Sequence, residues 1–277
     1  MGFTLYNPNM NKLYYPVGVK PLDFLVSSIS KERYSNTREG KPGSVDYGYD
    51  YREREVTLSF FLRHFHDEHD YLLLRDELSG FLDSYEYMYI VNDDLPTRML
   101  KITVDESHTP SRILGSMYAQ VEIKAAIIGH PFFMTTYTTQ QIEQYGYEAL
   151  QNKFGLADNV SLDYPHYSFS DSTFSVWNGG NVWIDYRNMD LKITVKGLKT
   201  DGNFQIQNLT TQEIFIYKEK VTGQDLVLNG PLIYVGPNNM LRNTNRQFIK
   251  LGPKKNDFKI INGTYDSIDF EFRYHFK

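Results

Sequence analysis

Between Arg54 and Ser84 the chain changes its hydrophobic period, and this one switch limits what it can fold into. In "REVTLSFFLR" (54–63), Val56, Leu58, Phe60 and Leu62 fall on one face, and Thr57, Ser59, Phe61 and Arg63 on the other. That two-residue repeat is the pattern of a half-buried strand. Beyond it, Tyr71, Leu74, Leu78, Phe81 and Leu82 recur at spacings of three and four, and Leu72 and Leu73 widen the apolar side. The spacing predicts an amphipathic helix over 67–84, about 25 Å long at 1.5 Å per residue. Asp67 suits its N-cap, and Glu68 and Asp70 set negative charge against the positive end of the helix dipole.

Elsewhere the chain reads as strands. Residues 3–30 hold short apolar runs broken by turn residues, and "SNTREGKPGSVDYG" (35–48) is a loop or hairpin tip. Two strands flank "NDDLP", and "DESHTPSR" (105–112) is a polar tip. A further strand sets Ala119, Val121, Ile123 and Ala125 against Gln120, Glu122 and Lys124, and Pro131 closes the segment. Residues 135–161 are polar and Gln/Thr-rich, which reads as a connector. From 162 to 277 short alternating strands follow one another without helices. Gly179-Gly180, Asp201-Gly202, Asn229-Gly230 and Asn262-Gly263 mark tight turns, the pattern of a β-sandwich or jelly roll. The expected organisation is a domain over 1–134, a linker over 135–161 and a second domain over 162–277.

Length supports this division, since 277 residues suffice for two domains. Aromatics make up 15% of the chain, which favours pleated, half-buried surfaces and large contacts. A net charge of −5 argues against wrapping nucleic acid, which needs surplus Lys and Arg. The absence of Cys excludes disulfides, Cys-ligated zinc and thiol catalysis. No signal-peptide pattern opens the chain, and its apolar stretches are too short to span a bilayer.

Motifs that would carry chemistry are sparse. "HFHDEHD" (64–70) gathers His64, His66 and His69 with three carboxylates, but the spacing departs from the i, i+4 pair that holds zinc on a helix. It reads as a solvated corner with capping carboxylates, and no metal or cofactor is expected. Asp93-Asp94 and Asp105-Glu106 are adjacent pairs in turns, where neighbouring side chains diverge, so no catalytic role is expected. Nucleotide-cradling and nucleophile-elbow motifs are absent. Asn159-Val160-Ser161, Asn208-Leu209-Thr210 and Asn262-Gly263-Thr264 fit the glycosylation pattern at chance frequency. Trp177 and Trp183 flank "NGGN" and are the candidate glycan contacts, although both alternate with apolar residues and so read first as core packing.

The order of strand 54–63, helix, strands and a last strand running into "IIGHPFF" resembles the N-terminal domain of the siphophage distal tail proteins, Dit-like members of the phage tail component family. "WNGGNVWIDYRNMDLKITVKG", "QNLTTQEIFIYKE" followed by "GQDLVLNG", and the terminal "FEFRYHFK" resemble segments of that family's second half. "LGPKKND" resembles its L-x-P-G-x-N turn, with Lys254-Lys255 where Gly and its neighbour are usual. The resemblance implies a mainly β protein. Its first half is an α+β, tail-tube-like β-sandwich with one helix, and its second a galectin-like β-sandwich or jelly roll. It implies a non-enzymatic virion protein at the distal end of the tail, assembled in the host cytoplasm. Six copies form a ring that joins the major tail tube protein to the tail-associated lysin or tail-tip protein. The ring anchors receptor-binding proteins and lets DNA pass without specific binding or membrane contact. The alternative is a carbohydrate-binding module that recognises host cell-wall glycan through the C-terminal sandwich.

Overall fold

The computed structural model describes residues 2–40, 42–144 and 158–277. The chain divides into two compact units, Met1–Phe132 and Phe133–Lys277.

The first unit runs β1 (Phe3–Tyr6), β2 (Val19–Val26), β3 (Lys31–Thr37), β4 (Ser44–Tyr51), β5 (Val56–Arg63), α1 (Glu68–Leu82), β6 (Met88–Asn92), β7 (Leu95–Thr103), β8 (Ser111–Arg112) and β9 (Tyr118–Ile127). Six of these strands make an antiparallel path β1-β6-β7-β9-β5-β2, with β8 beside β9. The path curls, because the Phe3 ring on its first strand meets Phe24 on its last at 5.9 Å. Phe60 and Tyr15 complete that aromatic centre, 5.2 and 6.2 Å from Phe3. The expected alternation on β5 is kept: Val56, Leu58, Phe60 and Leu62 are buried.

Helix α1 buries Tyr71, Leu74, Leu78 and Leu82. Leu72 and Leu73, read from the sequence as part of the apolar side, are exposed, since one face of a helix this short takes only the i, i+3, i+4 residues. The strand-to-helix corner is held by carboxylates. Asp67 caps the helix by accepting from the His69 N–H at 3.2 Å. Asp70 reaches back to the Phe65 and His66 N–H groups at 2.6 and 3.1 Å. The Phe65 and then the His66 N–H hold the Asp70 carboxyl below its usual range.

The second unit runs β10 (Phe133–Thr135), β11 (Ser168–Phe169), β12 (Thr173–Asn178), β13 (Leu191–Thr200), β14 (Phe204–Asn208), β15 (Glu213–Tyr217), β16 (Val221–Asn229), β17 (Leu232–Val235), β18 (Asn238–Asn239), β19 (Lys254–Ile261), β20 (Ser267–Phe272) and β21 (His275–Phe276). Two sheets form a sandwich, one ordered β11-β20-β13-β16-β17-β18 and the other β12-β19-β14-β15. Their inner faces meet through Phe258 and Phe270, 4.9 Å apart, with Phe174 5.8 Å from Phe270. The fold is mainly β, as expected.

Residues 145–157 of the expected linker lie outside the described residues. Those before them do more than connect. β10 pairs with β21, and the buried Thr139 donates its hydroxyl to Phe270 O at 2.8 Å. A polar stretch serves here because its side chains satisfy backbone groups of the last strands.

Three buried asparagines pin the loops at one end of the sandwich. Asn256 accepts from the Gly252 N–H at 2.8 Å and donates to Gly252 O and Lys254 O at 2.9 and 3.0 Å. Asn208 donates to Lys250 O at 2.9 Å and accepts from the Thr210 N–H at 3.0 Å. Asn178 donates to Val182 O and Gly252 O and accepts from the Gly180 N–H. Within the turn that Asn256 clamps, Lys254 has φ +71°. A lysine thus occupies a left-handed position that favours glycine.

Three outcomes follow for urea unfolding of the second unit and of the corner. Asn256→Ala strips partners from buried backbone groups and lowers stability by about 3 kcal/mol. Lys254→Gly removes left-handed strain at some cost in chain entropy and raises stability by about 0.5–1 kcal/mol. Asp70→Ala destabilises the corner in a pH-dependent way. Because the folded-state pKa of Asp70 is depressed, its contribution is whole above the unfolded value near 3.8 and fades as pH falls through the folded value. The gap between variant and parent is therefore open at neutral pH and closed in strong acid.

Candidate functional site

The histidines of residues 64–70 are not brought together. His64 is buried, with its Nδ1 2.8 Å from His66 O and its ring edge-on to Tyr71, whereas His66 and His69 are exposed. Among the described residues no group of three His, Cys, Asp or Glu is arranged to hold a metal ion. The adjacent carboxylates diverge: Asp93 accepts from the Thr4 hydroxyl at 2.8 Å, and Asp105 from that of Thr103 at 3.1 Å. Asp185 sits between Arg187 and Lys250, and its hydrogen bonds from Arg187 hold its carboxyl far below the usual range. These are structural ion pairs. Among the glycosylation-like asparagines, Asn208 is fully engaged inside the fold.

What the first unit displays is contact surface. Strands β3 and β4 pair only with each other and form a two-stranded arm. The stretch read as a loop or hairpin tip over 35–48 is the outer end of that hairpin, with strand residues at 35–37 and 44–48. Its polar residues suit an arm whose two faces are both open to solvent. Tyr34, Val45, Tyr47 and Tyr49 are exposed on it, Tyr47 by 61%. Ion pairs Arg33–Asp46 and Arg52–Glu32 brace the arm, and the Lys31 ammonium stands 4.4 Å from the Tyr49 ring centre. The Asp46 carboxyl is held low by the Gly48 N–H and then by Arg33. A lone hairpin is marginal in water, so such an arm gains by lying on a neighbour.

A second feature is the tip between β8 and β9, residues 113–117. Sequence reading placed a polar tip at 105–112, but there Pro110 is buried and accepts from the Tyr71 hydroxyl at 3.0 Å. The true tip is apolar. Leu114 is 99% exposed, and Ile113, Met117 and Phe65 are exposed with it. Sixteen of the twenty exposed large apolar side chains among the described residues lie in the first unit. Alternation alone could not mark this tip, since "ILGSM" has no period.

The second unit presents a different surface. Trp177 lies on the outer face of β12, between the inward-facing Val176 and Asn178. Its indole N–H donates to Asn159 O at 2.7 Å, and its ring lies parallel to Tyr164, 5.9 Å away at 4°. Trp183 is 54% exposed, flanked by the buried Val182 and Ile184. The core packing expected of both is not found. On β12 the neighbours of Trp177 take the interior and alternation sends its indole outward, whereas Trp183 lies in the loop after β12.

Residues 15–124 match the model of the phage tail protein RIFT-related domain. No curated protein matches the chain. Among solved structures, the Dit protein of phage SPP1 aligns over 100% of both chains at 15% identity with a TM-score of 0.69. It is described as a paradigm of the hub adsorption apparatus in phages infecting Gram-positive hosts. Chains of the phage p2 baseplate in its activated conformation, with strontium and with calcium, align at 10% and 11% identity over 98% and 99% of this chain and 97% of each of those, both with a TM-score of 0.49. The resemblance read from the motifs is borne out: residues 15–124 carry a phage tail protein domain, in a chain that takes the fold of a phage Dit protein over its whole length.

Proposed function

We propose that this chain is a structural hub protein at the distal end of a long, non-contractile phage tail. Six copies close into a ring that joins the tail tube to the tail-tip proteins and leaves a passage for DNA. The whole-length fold match to the SPP1 Dit protein carries the reading, and the tail-protein domain over 15–124 supports it.

The surfaces of the first unit suit this role. A closed ring needs a heterologous interface in which one patch meets a different patch on the next copy. The β3–β4 arm and the 113–117 tip are two unlike features of this kind, and both expose apolar side chains. A net charge of −5 suits a passage that phosphate must cross without sticking. The role calls for no reaction. The partners are further copies of the chain, the tail tube protein, the tail-tip protein with its lysin function, and receptor-binding proteins anchored to the hub.

Native mass measurement of purified protein is expected to give a species near six times the 32.4 kDa chain, or its back-to-back pair. Replacing the arm between Arg33 and Tyr49 with a short Asn-Gly turn is expected to leave folded monomers. A parent protein that stays monomeric at high concentration would sink the ring.

A further inference from the structure

The outer face of the β12-β19-β14-β15 sheet is built unlike the rest of the surface. Thr173, Ser175 and Trp177 point outward from β12, and Lys255, Asp257 and Lys259 from β19. Gln205 and Gln207 do so from β14. Register places Trp177 opposite Lys255, Ser175 opposite Asp257 and Thr173 opposite Lys259. The groups are fixed in place. The Ser175 hydroxyl donates to Asp257 at 2.7 Å, Lys255 pairs with the same carboxylate oxygen at 2.9 Å, and the Gln207 amide donates to Gln205 at 2.8 Å. The Ser175 hydroxyl and then the Lys255 ammonium keep Asp257 ionised well below its usual range. At one corner Trp177 and Tyr164 form an offset parallel stack, with the Lys255 ammonium 5.5 Å from the Tyr164 ring centre. Because the indole N–H is already used by Asn159 O, Trp177 offers only the π-surface of its ring.

We propose that this face binds a saccharide, with one pyranose stacked on Trp177 and its hydroxyls bonded to Asp257, Lys255 and Ser175. A pyranose has an apolar C–H face and a rim of hydroxyls that both donate and accept. It needs an aromatic slab beside a fixed mixture of donors and acceptors, and those are the groups this face sets side by side. Nucleic acid fits poorly, because Asp257 neutralises the cation nearest the slab. A protein partner fits poorly as well, because protein interfaces place their aromatic anchors centrally within a polar rim, whereas here the slab is at the edge and the centre is polar. The site is independent of the ring proposed for the first unit.

The test uses the full chain. The sequence has two tryptophans, so Trp183→Phe makes Trp177 the sole indole reporter. Soluble oligosaccharides of glucose, galactose, rhamnose and N-acetylglucosamine are titrated against its emission, and the parent protein is applied to an array of immobilised bacterial glycans. At least one saccharide class is expected to shift the Trp177 emission saturably and to capture the parent. Trp177→Ala should weaken capture about tenfold or more, and Trp177→Phe should restore part of it. Asp257→Asn should weaken capture while leaving the circular dichroism unchanged. Absence of both capture and emission change across the panel would overturn the site, as would capture that Trp177→Ala and Asp257→Asn leave intact. A loss of binding in these variants with oligomeric mass unchanged would separate this site from the ring.

Discussion

The second unit depends on three asparagine side chains that have no contact with solvent to spare. Asn178, Asn208 and Asn256 come from three different strands, yet their amides converge on the backbone of residues 250–254. Burying a primary amide is costly unless its donors and acceptor are used. Here they are used on loop backbone that no sheet ladder could reach. The two glycines after Asn178 follow from the same crowding. A Cβ at Gly179 would strike the Tyr274 ring, and one at Gly180 the backbone of His275. The segment "WNGGN" is therefore fixed by close approach rather than by positive φ, and the polar end of the sandwich is as well specified as its aromatic interior.

That network ties together three of the short motifs quoted for the second half of the chain. They are "WNGGN", "QNLTT" and "LGPKKND". Each contributes one asparagine to the same cluster. Apolar core positions tolerate exchange among residues of similar volume, so they drift. An amide that must donate twice and accept once in fixed directions has no substitute. The loops at this end are therefore specified residue by residue, whereas the strands between them need only apolar volume.

What was legible in the sequence, and what was not, follows the same physics. The β5 alternation and the switch to α1 were plain, because period reports burial directly. The N-cap at Asp67 was plain because its chemistry is local. The arm β3–β4 was legible only as a loop or hairpin tip. A strand exposed on both faces has no apolar period, and its residues match those of a loop. The tip at 113–117 was missed because an exposed apolar run has the composition of a core and lacks only the cover. Trp177 and Trp183 were assigned inward because their neighbours are apolar, although in the strand that holds Trp177 that very neighbourhood directs it outward, and Trp183 sits in a loop. Residues 135–144, polar apart from Tyr137 and Ile142, gave no sign that Thr139 would be buried against Phe270.

The surface follows a division of labour that composition alone conceals. The 15% aromatic content reads as one property, but it serves two purposes in the two units. In the first, tyrosines and aliphatic side chains stand exposed on an arm and a tip. Water gains nothing by solvating them, and a neighbouring chain gains area by covering them. In the second, the half-buried indole of Trp177 is braced by Tyr164 and set beside a tethered serine, aspartate and lysine. Holding these groups in advance lowers the ordering cost that a weak, hydroxyl-rich ligand could not itself offset. An unbraced apolar patch accommodates whatever shape a protein neighbour offers. A braced aromatic slab beside fixed polar groups accommodates few shapes, and its rigidity makes sense only for a small ligand met repeatedly.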